Sequence, residues 1–288
     1  MHLLGISRDL RFSPNMSNSD FVIFQAVADR LREEGCVVEC MSEEQFRQTY
    51  AGCIGRLNTD IIFGMYRDDE TLRLIEQANT ARHIPAITPC QGIRNAGRKQ
   101  QMEMLEEAGI PIPRYEILTH PDQRPSFYPC WLKKGEGWSE TKDDVMYLED
   151  EGKAAVAMEK FRGRSKSSAV CVAACEHLTG DLVKFYGVEG TGFFDWDYAS
   201  KGHSKFGLER YNGPEHHYAF SERQLQSIAD NASAVLQIPI YGGDAVIAAD
   251  GSIHIIDFND WPSFSRCRQK AATAIAQRIL RTHPLNSK

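Results

Sequence analysis

The chain has 288 residues, of which 42% are hydrophobic and 25% are charged, and its formal net charge is −6. This length predicts two or three compact lobes rather than one core. The acidic balance argues against a dedicated nucleic-acid or membrane-surface binder, and no apolar run reaches about 18 residues. The polar start does not resemble a signal peptide, so we expect a cytoplasmic protein. The eight cysteines form no CxxC pair, which favours reduced buried thiols over disulfides or zinc.

The first 95 residues alternate between strands and helices. Strands are predicted at 2–7, 36–41, 60–66 and 84–88, and helices at 20–34 and 69–79. Short links between such elements predict a small open parallel sheet with helices packed on it. Ligands bind beyond the carboxyl ends of the strands in these sheets. Arg8, Ser13 and Arg67 are therefore candidates for holding a substrate, and the alternative is that they are solvated loop residues.

The next segment, GRKQQMEMLEEAGIPIP, predicts a helix that Gly109 ends before two prolines extend the chain. A new lobe begins about here. The strand PCWLKK that follows ends beside Gly135 and Gly137. A lysine at this point, Lys133, can reach phosphate oxygens as a point charge. The sequence has no Walker pattern here, and a surface lysine is the alternative.

The middle of the chain carries a hinge between two strands. An apolar strand, AVCVAAC, leads through EHLTG into DLVKFYGV, in which Leu182, Lys184 and Tyr186 share one face. Buried backbone groups at a hinge need partners, and a flat heterocycle such as adenine can supply them. Residues 190–219 lack periodicity, which favours a functional loop in which Arg210 is a candidate to contact an anionic substrate. A solvated insertion is the alternative.

The stretch YGGDAVIAADGSIHIIDFNDWPSFS, residues 241–265, predicts two strands joined by a two-residue turn at Asp250-Gly251. This register sets Asp244 opposite Asp257, with Asn259 on the same face. Opposed carboxylates repel each other, so either one is protonated or a cation lies between them. Two carboxylates and an amide oxygen suit magnesium.

The order of these parts resembles the ATP-grasp superfamily, and within it the RimK-type carboxylate–amine ligases. GGDAVI followed by IIDFNDWPSF is similar to the family's acidic residue and its [DE]xN–Pro signature, and the AGIPIP helix and KFYGV strand match more weakly in the same order. The resemblance implies an α/β ATP-grasp fold. It also implies a Rossmann-like pre-ATP-grasp domain at 1–95, a central lobe at 96–180 and a C-terminal lobe with the metal hairpin at 181–288.

The resemblance further implies which residues hold ATP and magnesium. The magnesium ligands would be Asp244, Asp257 and Asn259. Lys133 matches the strand lysine on phosphate, and a second phosphate contact falls at Arg98 or Lys99, where an arginine departs from the family pattern and leaves the choice open. The adenine hinge would be formed by Cys175, Glu176, His177 and Leu178, and Lys184 falls on the next strand, near a lysine of the family's kinase branch. The short KKGEGWS stretch departs from the family's glycine-rich lid.

These parts predict an ADP-forming ligase in which ATP phosphorylates a carboxylate and an amine or similar nucleophile displaces the phosphate. Lys133, the Arg98/Lys99 pair and Arg210 are the candidates for offsetting charge on the transferred group. The expected partner is a small molecule or peptide with a carboxylate, not nucleic acid or membrane, and a homodimer is left open. One alternative is a small-molecule kinase of the inositol-phosphate kinase type, which has a strand comparable to KFYGV. Another is a non-catalytic nucleotide-binding protein. The complete set of Asp244, Asp257 and Asn259 counts against this last alternative.

Overall fold

The structure is a computed structural model, and it describes residues 1–13, 17–137, 141–164, 170–201 and 208–282. Three sheets with helices packed on them make up this part of the chain. None of its helices is both long and apolar enough to cross a membrane. All eight cysteines are free, and four of them are buried.

The N-terminal sheet is parallel, as predicted. Its strands are β1 (His2–Ser7), β2 (Val37–Ser42) and β3 (Ile61–Gly64), in the order β2-β1-β3, and its helices are α1 (Ser17–Glu33), α2 (Glu43–Tyr50), α3 (Asp69–Arg82) and α4 (Cys90–Asn95). Side chains alternate along β1, so that Leu3 packs in the core beneath α1 and Leu4 packs with α2, α3 and α4 on the other face.

Two details of this sheet differ from the prediction. The expected fourth strand at 84–88 is a single parallel bridge between Ile62 and Ala86. Helix α2 is not among the predicted elements, although it begins at a capping box in which Ser42 and Gln45 satisfy each other's backbone amides. The box satisfies two of the backbone amides that the helical hydrogen bonds leave unpaired at this end, and the short helix starts directly after β2.

The second sheet is antiparallel and follows α5 (Arg98–Glu107). Its strands are β4 (Tyr115–Leu118), β5 (Cys130–Lys134), β6 (Val145–Leu148) and β7 (Val172–Glu176), in the order β4-β7-β5-β6. Helix α6 (Ala154–Arg164) covers one face, where Phe161 packs with Leu132 and Val172. The opposite face carries Trp131 and Lys133, which line a cavity.

The third sheet is also antiparallel. Its strands are β8 (Asp181–Val188), β9 (Phe193–Tyr198), β10 (Ile240–Ile247) and β11 (Ile253–Asp260), in the order β11-β10-β8-β9. Helix α7 (Glu222–Leu236) precedes β10 and packs on the apolar face, and α8 (Arg268–Arg281) follows β11. Contrary to the prediction, residues 190–219 do not form a loop throughout, because they include strand β9. The backbone of β9 forms hydrogen bonds with β8, and its side chains alternate between the two faces of the sheet.

The last helix returns to the first sheet. Ile275 and Ile279 of α8 share a core with Ala28 of α1, so the two ends of the chain pack together. In the same way, Leu105 of α5 belongs to the core beneath the third sheet. The predicted domain boundaries at 95/96 and 180/181 stay predictions.

The β10–β11 hairpin keeps the predicted pairing of Asp244 with Asp257 but reaches it differently. Its loop is longer than two residues: the Ala248 amide donates to the Ser252 carbonyl at 2.9 Å, and Gly251 has a φ of +82°. Compared with a two-residue turn, this loop shifts the register of the two strands by one residue. A β-bulge between the Asp244 and Ala245 pairs leaves Ile256 without an opposite residue, and this extra residue shifts the register back.

Candidate active site

A cavity of about 350 Å³ lies where the three sheets meet. The third sheet forms one wall with Lys184 and Asp244, and the second sheet forms the opposite wall with Trp131 and Lys133. Arg8 and other residues that follow the strands of the first sheet close one end. Leu182, Lys184 and Tyr186 all line this cavity, which confirms that they share one face of β8.

Charges alternate across the floor of the cavity. Asp244 lies between Lys184 of β8 and Asp257 of β11 in adjacent strands. Lys184 Nζ is 2.9 Å from Asp244 Oδ1, and Arg98 Nη1 is 3.0 Å from Asp257 Oδ1. Each of the opposed carboxylates therefore has a basic side chain as partner. The expected repulsion is offset by the protein itself, so it does not by itself require an ion between the two.

Asp257 is ionised at neutral pH. Burial opposes its ionisation, but the charges of Arg98 and Lys133 and a hydrogen bond from Asn259 outweigh burial and hold its pKa at about 2. Asn259 Nδ2 donates to Asp257 Oδ2 at 3.0 Å. Protonation of Asp257, one of the two explanations that the sequence left open, is therefore excluded for this carboxylate.

Lys133 reaches the hairpin from the opposite wall. Its Nζ donates to the carbonyl oxygen of Ile256 at 2.9 Å, and the residue is only 8% exposed. The bulge provides this contact, because Ile256 has no opposite residue on β10. Burial and the neighbouring charge of Arg98 lower the pKa of Lys133. The ammonium is thus held beside both carboxylates, where the sequence predicted a contact with phosphate.

The structure separates Arg98 from Lys99. Arg98 lines the cavity, whereas Lys99 Nζ lies 3.9 Å from Glu103 on the outer side of α5. Gln101, one turn after Arg98, donates from Nε2 to the carbonyl of Phe258 at 2.7 Å and fixes α5 beside β11. Residues three apart share a helix face, so the docking of Gln101 turns Arg98 toward the cavity and Lys99 away from it.

All four predicted hinge residues line the cavity: Cys175, Glu176, His177 and Leu178. The amides of Glu176 and His177 already donate to the carbonyls of Arg114 and Pro129, at 2.9 and 3.1 Å. The Leu178 amide has no hydrogen-bond partner within the described ranges. A bound heterocycle is therefore not needed to satisfy the first two amides, and of these three amides only that of Leu178 is open.

The N-terminal end of the cavity is a buried network of ions. Arg8 donates to Asp20 and Asp260, each at 3.2 Å, and Ser13 Oγ donates to Asp20 at 2.6 Å. Arg67 also pairs with Asp260. The structure thus brings the three predicted substrate residues together at one end. Asp20 and Asp260 are not among the predicted site residues, because only the folded chain brings them to the arginines. Asp260 directly follows the DxN motif, but the sequence does not show that it lies between two arginines.

One predicted residue cannot be placed. The side chain of Arg210 lies outside the described residues, as do residues 138 and 139 of the KKGEGWS stretch. The neighbouring residues Leu208 and Asn212 line the cavity. The segment that carries Arg210 therefore reaches the site.

The predicted magnesium ligands present suitable atoms. Asp244, Asp257 and Asn259 all line the cavity with oxygen ligands, which magnesium prefers. Asp244 Oδ2 and Asn259 Oδ1 accept no hydrogen bond from the part of the chain that the structure describes. Within that part no group of three or more His, Cys, Asp and Glu side chains could hold a metal. Two carboxylates and one amide oxygen are a donor set that fits part of the oxygen shell of a magnesium ion.

No family model and no curated protein sequence matches the chain. Solved structures do match it over nearly its full length. D-alanine–D-alanine ligase from Bacillus anthracis, complexed with ATP, has a TM-score of 0.69 at 11% identity and covers 98% of this chain and 97% of its own. A RimK-domain ATP-grasp protein from Sphaerobacter thermophilus has a TM-score of 0.66 at 15% identity, covering 97% and 100%.

D-alanyl-alanine synthetase A from Vibrio cholerae has a TM-score of 0.69 at 14% identity and covers 98% of each chain. Likeness at such low identity shows the fold alone. The three sheets, the cavity between them and these matches agree with the fold that the sequence motifs implied. The chain has the ATP-grasp fold.

Proposed function

We propose that this protein is an ADP-forming ligase that uses ATP to activate a carboxylate for attack by an amine or similar nucleophile. One observation carries the proposal: a single cavity joins a hinge with an open amide, a group of cations and carboxylates, and a separate charged end. Nucleotide base, phosphates and a second substrate each have a matching region.

The nucleotide would lie with its base at the hinge and its phosphates over the floor. Leu178 offers an unpartnered amide to the base. Arg98, Lys133 and Lys184 place three positive charges near Asp244 and Asp257. Because the cations outnumber the carboxylates, this region attracts a polyphosphate, and the low exposure of Lys133 strengthens the attraction.

Magnesium would be held by the oxygens of Asp244, Asp257 and Asn259. When bound, it supplies positive charge that offsets the charge of the phosphates. The side chains of the protein have a separate task. Arg98 and Lys133 are fixed by Asp257 and the Ile256 carbonyl, so they are already oriented before ATP arrives and need little reorganisation during the reaction.

The reaction that fits this arrangement has two steps. A carboxylate oxygen of the substrate attacks the γ-phosphorus, the bond to the β-phosphate oxygen breaks, and ADP leaves. The amine then attacks the acyl carbon, inorganic phosphate leaves, and the amine loses a proton. Arg98 and Lys133 offset charge on the phosphoryl group, and the cavity between the sheets limits hydrolysis of the acyl phosphate by water.

The second substrate would bind at the charged end near Arg8 and Arg67. These arginines are held by Asp20 and Asp260, so the region presents both signs of charge to a ligand. A molecule that carries both an ammonium and a carboxylate matches such a surface. The structural neighbours include D-alanine–D-alanine ligases and an L-amino acid ligase, which supports an amino acid or a short peptide as the substrate class.

The test is product analysis with purified protein, ATP, magnesium and pooled amino acids, with polyols in a parallel reaction. We expect ADP and inorganic phosphate in equal amounts, together with a new amide by mass spectrometry. Phosphorylated alcohol with ADP and no free phosphate would indicate a kinase instead. Nucleotide binding without turnover across the whole panel would refute both enzymes and leave a binding protein.

A further inference from the structure

His177 has a fixed orientation at the hinge. Trp131 Nε1 donates to His177 Nδ1 at 3.0 Å, and the ring centroids are 5.9 Å apart. Tyr147 packs edge-on against the imidazole, with centroids 5.2 Å apart. The His177 amide is also tied to the Pro129 carbonyl. Backbone and side chain are therefore both held before any ligand binds.

This orientation determines where the imidazole carries its proton. An indole N–H can only donate, so Nδ1 of His177 must be the accepting, unprotonated nitrogen. The neutral ring then carries its hydrogen on Nε2. Burial lowers the pKa of His177, which keeps the ring neutral at physiological pH.

The Nε2–H has no acceptor within the described ranges, and His177 lines the cavity next to Leu178. We propose that His177 donates Nε2–H to an unprotonated ring nitrogen of the purine base of the nucleotide, and that Trp131 is a positioning residue that fixes the tautomer. The inference rests on the proposed function, because it requires ATP in this cavity. It adds a side-chain contact to the base beyond the backbone contact at Leu178.

Adenine offers three such acceptors, N1, N3 and N7, and replacement of one by carbon removes the acceptor while the shape of the base is kept. The test measures the dissociation constants of ATP and of 1-deaza-, 3-deaza- and 7-deaza-ATP by calorimetry at fixed magnesium. For the wild-type protein, we expect two analogues to bind about three- to tenfold more weakly than ATP, because the Leu178 amide and His177 Nε2–H each need an acceptor nitrogen on the base. The sensitive analogue is the one whose deficit depends on His177, and it identifies the nitrogen that accepts from this side chain.

Two substitutions distinguish the roles of the two nitrogen atoms of the imidazole. In His177→Asn the amide oxygen can still accept from Trp131, but no N–H remains at the position of Nε2. His177→Gln keeps an N–H near that position. We expect the Asn variant to bind ATP and the sensitive analogue equally, and the Gln variant to retain most of the difference. Trp131→Phe should reduce the difference, because Nδ1 is then free to carry the proton.

Each outcome has a separate meaning. A wild-type protein that binds no ATP refutes the proposed function and this inference together. Normal ATP binding with no analogue whose deficit disappears in His177→Asn refutes the role of His177 alone. His120→Asn is a matched substitution at an exposed loop position and should behave as wild type. Melting temperatures of all variants show whether each one is folded.

Discussion

Asp257→Asn should lower the stability of the protein, although opposed carboxylates considered alone would predict a gain. The amide has nearly the same shape, so the change removes mainly a charge. That charge lies 3.0 Å from Arg98 Nη1 and close to Lys133. In the variant, a buried lysine and an arginine lose their counter-ion, and their mutual repulsion is no longer offset.

The magnitude follows from the pKa of Asp257. It is about 2 in the folded protein against 3.8 for an ordinary aspartate, and each pKa unit corresponds to 1.36 kcal/mol. Ionised Asp257 therefore contributes about 2 kcal/mol to the free energy of unfolding at pH 7. For a chain of this size, the variant should melt about 4 °C lower.

The sign of the pH dependence is a second part of the same prediction. Because folding lowers the pKa of Asp257, its contribution is complete above about pH 4. The contribution is lost as the pH falls toward 2. The difference between wild type and variant should therefore be constant near neutrality and shrink between pH 4 and pH 2.

The assay is thermal unfolding followed by circular dichroism, in buffer without divalent ions, at several pH values. Glu107→Gln, an exposed carboxylate-to-amide change on α5, is the matched control and should melt as wild type. Addition of magnesium and ATP should raise the melting temperature of the wild type and not of Asp257→Asn. A variant that melts at the wild-type temperature or above it in metal-free buffer would show that repulsion dominates and would refute the ion-pair account.

Three further predictions address other parts of the site. Arg98→Met should reduce turnover at least a hundredfold, whereas Lys99→Met should change it less than twofold, as measured by ADP release. Gly243→Ala should destabilise the fold by several kcal/mol in denaturant melts, because its Cβ would lie 2.2 Å from the Asp257 carbonyl oxygen. The control Gly163→Ala has open space around its Cβ and should raise the free energy of unfolding by about 0.5–1 kcal/mol. Because the pKa of Lys133 is lowered, ATP affinity should begin to fall at a lower alkaline pH than for an ordinary lysine, and Lys133→Arg should remove this fall in calorimetric titrations.

The sequence predicted those features that depend on local periodicity. Leu182, Lys184 and Tyr186 alternate along β8 and share the cavity face because successive side chains of a strand point to opposite sides. The sequence of β9 carries the same alternating pattern. FFDWDY alternates as well, but it stands among glycines and polar residues in a segment that otherwise lacks periodicity. Only the pairing with β8 makes the strand evident.

The choice between Arg98 and Lys99 could not come from the sequence. Both residues lie in the first turn of α5, and both are basic. Their directions depend on how the helix is rotated about its axis, which the contact of Gln101 with Phe258 decides. Asp260 illustrates the same limit, since its partners Arg8 and Arg67 are more than 190 residues away along the chain.

The β10–β11 hairpin keeps the predicted carboxylate pairing, but it does so with a longer loop and a bulge in place of a two-residue turn. A two-residue turn alone would set Asp244 opposite Asp257. The longer loop around Gly251 would instead oppose Asp244 to Ile256 and turn Asp257 to the other face of the sheet. The bulge at Ile256 restores the pairing, and the same irregularity frees the carbonyl that holds Lys133 at 2.9 Å. One extra residue in β11 thus sets both the carboxylate pair and the position of the lysine, so the register of this hairpin and the charge arrangement of the site are consequences of a single backbone feature.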